Sequence, residues 1–110
     1  AAEVLAGFGS GHGIDLSPAQ SVPGLEFKRV QLLGFKGKPL LQMAYLGPDG
    51  VPVAFCITRS SGEDKPMQSE VLGGMATASW VRDGVGYLVI GGQDQGFVDA
   101  VAADIQGRLG

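Results

Sequence analysis

The chain has 110 residues, of which 45% are hydrophobic and 17% charged, and its formal net charge is −3. That length suits one domain with a single modest core, and an apolar fraction in the globular range excludes wholesale disorder. The mildly acidic balance lacks the basic face that nucleic-acid binding needs, and no run approaches the ~18 apolar residues of a membrane-spanning helix.

The N-terminus, Ala1-Ala2-Glu3, has no methionine, and no signal peptide is visible. The chain is therefore expected to be a processed or shortened piece of a longer protein. A single cysteine, Cys56, rules out an intramolecular disulfide and any cysteine cluster for zinc or iron–sulfur.

Taken in chain order, residues 1–8 read as a short helix with Val4, Leu5 and Phe8 on one face. It resembles the tail of a longer helix, broken by the glycines from Gly9 to Gly13. Residues 14–24 read as an extended linker punctuated by Ser17-Pro18 and Pro23-Gly24. Leu25 to Phe35 reads as a first strand. Its apolar alternation changes phase between Leu25/Phe27 and Val30/Leu32, which predicts a bulge near Lys28-Arg29. Lys36-Gly37 suits a hairpin turn into a second strand, Leu40 to Leu46, with Leu41, Met43 and Tyr45 on one face. Pro48-Asp49-Gly50 is a turn, because proline fixes φ and glycine accepts positive φ.

Val51 to Thr58 reads as a third strand with Val53, Phe55 and Ile57 facing one way. Ser60 to Glu70 is polar, contains Pro66 and reads as a surface loop. Met75–Arg82 and Val85–Ile90 form a second hairpin around Asp83-Gly84. In the last segment Phe97, Val98, Val101, Ala102 and Ile105 recur at helical spacing, with Asp94 as N-cap. The expectation is an α+β fold: an antiparallel sheet of about five strands, a three-stranded meander plus a hairpin. A C-terminal helix packs on one face, and a short helix precedes the sheet. Residues 1–23 form the helix remnant and linker, and residues 24–110 a single domain. No internal repeat is evident.

No constellation in this sequence carries an obvious reaction. His12, the only histidine, lies in Gly11-His12-Gly13, without partners held at fixed geometry. Cys56 sits between Phe55 and Ile57 and reads as a buried, inert thiol, with a redox-sensing or nucleophilic role as the alternative. Gly7, Gly9 and Gly11 form no βαβ dinucleotide motif. Gly91-Gly92 before the last helix lacks a nearby lysine or arginine, and Asp94 opposes an anion. Glu63, Asp64 and Glu70 read as solvated loop carboxylates, and Ser60-Ser61 lacks a nucleophile-elbow context. Trp80 reads as a core anchor, with ligand stacking as the alternative. No catalytic residue, metal or cofactor is expected. Cys56 and Trp80 are the candidates for a ligand or redox site.

Residues 24–105 resemble the extracytoplasmic domain of proteobacterial membrane anti-sigma factors, also described as transmembrane transcriptional regulators. The matching stretches are Gly24 to Leu33, Gly37-Lys38-Pro39 through Tyr45, Val51 to Ile57, Gly74-Met75 through Trp80, and Asp83-Gly84 through Gly91. They cover about three-quarters of the chain and consist of turn glycines, strand apolar residues and one tryptophan. The resemblance implies a periplasmic sensory domain of an inner-membrane protein, with no enzymatic activity. A sigma factor would bind a cytoplasmic segment that this chain lacks, and a transmembrane helix, also absent here, would provide the membrane connection. Homodimerisation through an exposed strand edge or the first helix is a further expectation. A small-molecule or redox-sensing module near Cys56 and Trp80 is the alternative reading.

Overall fold

A computed structural model describes residues 2–109 and, within the first helix, the side chains other than those of Ala2, Leu5 and His12. The chain runs α1 (Ala2–His12), β1 (Glu26–Phe35), β2 (Lys38–Leu46), β3 (Pro52–Arg59), β4 (Lys65–Leu72), β5 (Met75–Arg82), β6 (Val85–Ile90) and α2 (Gln95–Leu109). All strand pairings are antiparallel, in one six-stranded sheet ordered β1-β2-β3-β6-β5-β4. The order is palindromic. Two three-stranded meanders meet through their last strands, and each opens with an edge strand that carries a bulge, between Phe27 and Arg29 in β1 and between Lys65 and Gln68 in β4.

Two-residue turns set the registers. Lys36-Gly37, Gly73-Gly74 and Asp83-Gly84 all have positive φ at both positions, the backbone whose twist matches that of the flanking strands. The expected bulge in β1 is present, at Lys28. Asp49 and Gly50 also adopt positive φ in the short 3₁₀ turn Pro48–Gly50.

One face of the sheet carries the core. Successive positions point to opposite sides, so Leu41, Met43 and Tyr45 of β2, Val53, Phe55 and Ile57 of β3, Ala78 and Trp80 of β5, and Tyr87 and Val89 of β6 all face one way and are buried. Against them α2 presents Val98, Val101, Ala102 and Ile105. The Asp94 side chain caps α2 by accepting the Phe97 amide at 3.0 Å, the expected N-cap bond. Gln95 Nε2 donates to the Thr77 carbonyl at 2.8 Å, and Ser69 Oγ donates to Asp99 at 2.7 Å, tying the helix to β5 and β4.

Three elements differ from the sequence reading. Residues 60–70 are not a single loop, because Lys65–Leu72 is an edge strand, giving six strands rather than about five. Its exposed positions show no apolar alternation, and Pro66 falls at its bulged start, where an edge strand tolerates a residue without an amide hydrogen. The first helix runs on through Gly9 and Gly11 to His12 and stops at Gly13, whose φ is +69°. Ala1 lies outside the described residues. Gly9 is a point of close approach rather than a breaker: the Ile14 amide donates to its carbonyl at 2.8 Å, and a side chain at Gly9 would collide with the Ile14 carbonyl.

Residues 14–24 are not an extended linker either. They contain the 3₁₀ turn Ser17–Gln20 and bury Leu16, Ala19 and Val22 in the main core beside Phe8. The Tyr45 hydroxyl donates to the Ala19 carbonyl at 2.8 Å and clamps this segment over β2.

Candidate functional site: a hollow on the uncovered sheet face

The helical segments pack into the core on one side of the sheet, and among the described residues no helix covers the other side. Cross-strand register defines that open face as rows of directly opposed residues. One row runs Leu33, Leu40, Thr58, Gly86, Val81, Lys65. The next runs Gln31, Gln42, Cys56, Leu88, Ser79, Gln68. A third runs Arg29, Ala44, Ala54, Ile90, Thr77, Glu70. The second row has glutamines at both ends and the apolar pair Cys56 and Leu88 in the middle.

Parts of the first two rows, from Leu40 and Cys56 across to Lys65 and Gln68, join Phe35 to form a hollow of about 370 Å³ whose lining draws on all six strands, a volume in the range of small-molecule sites. Edge strands five intervals apart in a flat sheet stand ~24 Å from each other. The hollow touches both Phe35 of β1 and Lys65 of β4, so its lining crosses the full width of the sheet. Gly86 leaves part of the floor low. A Cβ there would meet the Ser60 Cβ and the Thr58 carbonyl at 3.7 Å and the Thr58 Cγ2 at 4.0 Å, all ordinary contacts.

The electrostatics of the hollow are one-sided. Among the described residues its lining includes no acidic side chain and one cation, Lys65. Lys65 is exposed and takes part in none of the ion pairs formed among those residues. The acid next to it in sequence, Asp64, accepts the Asp83 amide at 2.9 Å. At the β1 end, the Lys36 amine lies 5.3 Å from the centre of the Phe35 ring.

Cys56 lies on the open face and is half-buried. Its neighbours Phe55 and Ile57 point to the opposite side, so they do not enclose it as their adjacency in sequence suggested. Burial pushes the thiol pKa up, and a hydrogen bond with Gln42 opposes that shift more weakly. Gln42 in turn accepts from Gln31 Nε2 at 2.8 Å, so a polar chain crosses β1, β2 and β3 to reach the thiol. A thiol held protonated is a poor nucleophile, which leaves Cys56 as part of an apolar floor.

Trp80 is also in the wall of the hollow, but its register places the ring on the core side. There it stacks 5.0 Å from the centre of Tyr87 and 6.1 Å from that of Phe55. The structure therefore brings the two candidates into one depression on different terms: Cys56 by its side chain, and Trp80 chiefly as the core anchor behind it.

The other candidates disperse. His12 ends α1. Gly91 and Gly92 form a strand-to-helix turn whose carbonyl and amide pair with Ala76. Glu70 lies on the open face of β4, two rows from Lys65. No group of three or more His, Cys, Asp or Glu side chains gathers to hold a metal among the described residues. A separate depression of about 470 Å³ lies between α1 and the following segment. Its one carboxylate, Asp15, is engaged by the Ser17 hydroxyl at 2.7 Å and the Ser17 amide at 3.1 Å, bonds that hold its pKa below the usual carboxylate value.

The lining residues Phe35, Leu40, Lys65, Gly86 and Leu88 went unmarked in the sequence. The signal available was the apolar character of both faces of β3 and β6, where Ala54, Cys56, Leu88 and Ile90 alternate with the core residues. Strands that face water on one side read apolar and polar in turn. No family model matches the chain, and no curated protein matches it.

Proposed function

We propose that the chain is a non-enzymatic sensory and interaction domain, the periplasmic part of a membrane-bound anti-sigma factor that regulates transcription. The observation that carries the sensory part of this reading is the hollow on the uncovered sheet face, with an apolar floor and Lys65 as the one cation in its lining. That is the architecture of a binding surface rather than of a catalytic centre. The anti-sigma assignment rests on the ordered resemblance of Gly24–Leu33, Gly37–Tyr45, Val51–Ile57, Gly74–Trp80 and Asp83–Gly91, stretches that coincide with β1, β2, β3, β5 and β6 and their turns. The sigma factor would bind a segment outside this chain, and a helix outside this chain would cross the membrane. No helix of the described residues is long and apolar enough to do so.

The test is the coding sequence upstream of Ala1. The reading expects a stretch of about 20 apolar residues preceded by a cytoplasmic segment. Deleting residues 24–110 from the parent is expected to change sigma-dependent transcription. An open reading frame that starts at Ala1 would sink the proposal.

A second reading, a small-molecule binding module, is favoured by one specific feature, the hollow beside Cys56 and Trp80. The two readings are compatible, since a sensory domain needs a place to receive its signal. The redox variant of the second reading is the weaker form, because the Cys56 pKa is shifted away from thiolate.

A further inference from the structure

We infer that the open-face hollow binds an anionic amphiphile, a slender alkyl or acyl chain ending in a carboxylate or phosphate, with its headgroup at Lys65. This deepens the binding-module reading and rests on it. Three observations define the occupant. The floor is apolar at its centre, where Cys56 and Leu88 oppose each other and Leu40 adjoins them. The hollow runs across the strands, from Lys65 on one edge to Phe35 on the other, so it suits an elongated guest. Its charge is complementary to an anion: Lys65 has no ion-pair partner and the lining holds no acid among the described residues.

The edges argue against a second copy as the occupant: β1 and β4 each carry a bulge with basic residues, which disfavours pairing with another sheet. The thiol belongs to this picture as an apolar floor group, with its polar neighbour Gln42 turned to Gln31.

The experiment titrates the folded chain with decanoate below its aggregation threshold, followed by amide chemical shifts and by calorimetry, with decanol as the uncharged control. Saturable binding of decanoate is expected, with the largest shifts at Cys56, Gly86 and Leu88. Gly86→Leu fills the floor at a position where a Cβ meets only ordinary contacts, and it is expected to weaken binding at least tenfold while the fold persists. Lys65→Gln is expected to weaken decanoate by about threefold, in line with an exposed charge pair, and to leave decanol unchanged.

Equal affinity of the wild-type chain for decanoate and decanol overturns the headgroup assignment. Shifts outside the hollow, or binding that survives Gly86→Leu, overturn the site. A dimer in sedimentation that Gly86→Leu dissociates overturns the occupant in favour of a second copy. These outcomes are separable from the anti-sigma reading, which stands or falls on the parent coding sequence.

Discussion

Tyr45→Phe removes one oxygen atom, which makes one strong hydrogen bond and a weaker 3.7 Å contact with the Met43 sulfur. The hydroxyl donates to the Ala19 carbonyl at 2.8 Å, Ala19 is wholly buried and the Tyr45 residue is 2% exposed. The ring remains in the variant, along with its edge-on packing against Phe27 at 5.7 Å between centroids. What changes is that a buried carbonyl loses its donor, which costs about 1–3 kcal/mol. Taking about 2 kcal/mol, the melting temperature of a domain of this size should fall by roughly 8 °C, and the denaturant midpoint should drop with an unchanged slope.

A pH arm checks the same residue independently. Burial raises the Tyr45 phenol well above its ordinary value of 10.0. The unfolded chain therefore releases this proton at a lower pH than the folded chain does. Stability from this group is fully present below pH 10 and is lost as pH rises toward the folded pKa. At pH 11 the loss is about 1.4 kcal/mol, given an unfolded phenol pKa of ~10.

Denaturation curves at pH 8 and pH 11 should show that the wild-type chain loses this much more stability than Tyr45→Phe over that interval. Tyr87, whose pKa is also raised by burial, is common to both proteins and cancels. A variant as stable as wild type at pH 8, with the same loss by pH 11, would refute the clamp between Ala19 and β2.

Three other outcomes follow from the same structure. Asp94→Ala should destabilise the fold by about 0.5–2 kcal/mol by removing the acceptor of the Phe97 amide, and Asp94→Asn should restore most of it; equal stability of all three proteins in urea would count against the cap. Cys56 should react slowly with a thiol reagent at pH 7.5 in the folded chain and quickly in denaturant, since burial disfavours its thiolate; rapid native labelling would overturn that. Gly74→Ala should cost about 1–2 kcal/mol, because φ there is +78° and nothing crowds a Cβ, so the penalty is backbone strain alone. A Gly74→Ala protein with unchanged stability would show that the Gly73-Gly74 turn has another geometry.

Much of this fold is legible locally. The hairpins at Lys36-Gly37 and Asp83-Gly84, the bulge in β1 and the cap at Asp94 are decided by residues within a few positions of each other, and the sequence displays them. What it hides is set at long range. β4 has no apolar alternation because, as an edge strand, it contributes little to the core. It becomes a strand because β5 offers it a ladder, not because Lys65–Leu72 prefers one. Leu16, Ala19 and Val22 look like a linker in isolation and acquire meaning only when Tyr45 and α2 close over them.

The candidate site was half legible for the same reason. Cys56 and Trp80 could be singled out one at a time, but the row Cys56, Leu88, Ser79, Gln68 exists only through strand register. Lys65 in particular lies inside what reads as a polar loop.

The uncovered face also raises a question of solubility, and the answer bears on function. An apolar sheet surface with free edges invites association with other chains. Here both edges carry counter-measures: a bulge with Lys28 and Arg29 on β1, and a bulge with Lys65 and Pro66 on β4. Glutamines close both ends of the Cys56–Leu88 row. The large apolar residues that remain exposed are confined to β1 near the Lys36-Gly37 turn (Leu32, Leu33, Phe35) and to the Gly73-Gly74 hairpin (Val71, Leu72, Met75). The apolar centre of the hollow lies between Lys65 and Gln68 on the β4 side and the exposed Phe35 on the β1 side, while the edges that would recruit another sheet are blunted. A face designed only to be inert would alternate apolar with polar residues and leave no floor of Cys56, Leu88 and Leu40. A face designed for a second sheet would not have bulged, basic edges with Lys65 at its margin. The arrangement that satisfies both conditions is a hollow kept accessible to a narrow guest, and Gly86, whose missing side chain keeps the floor low, is the residue on which that argument turns.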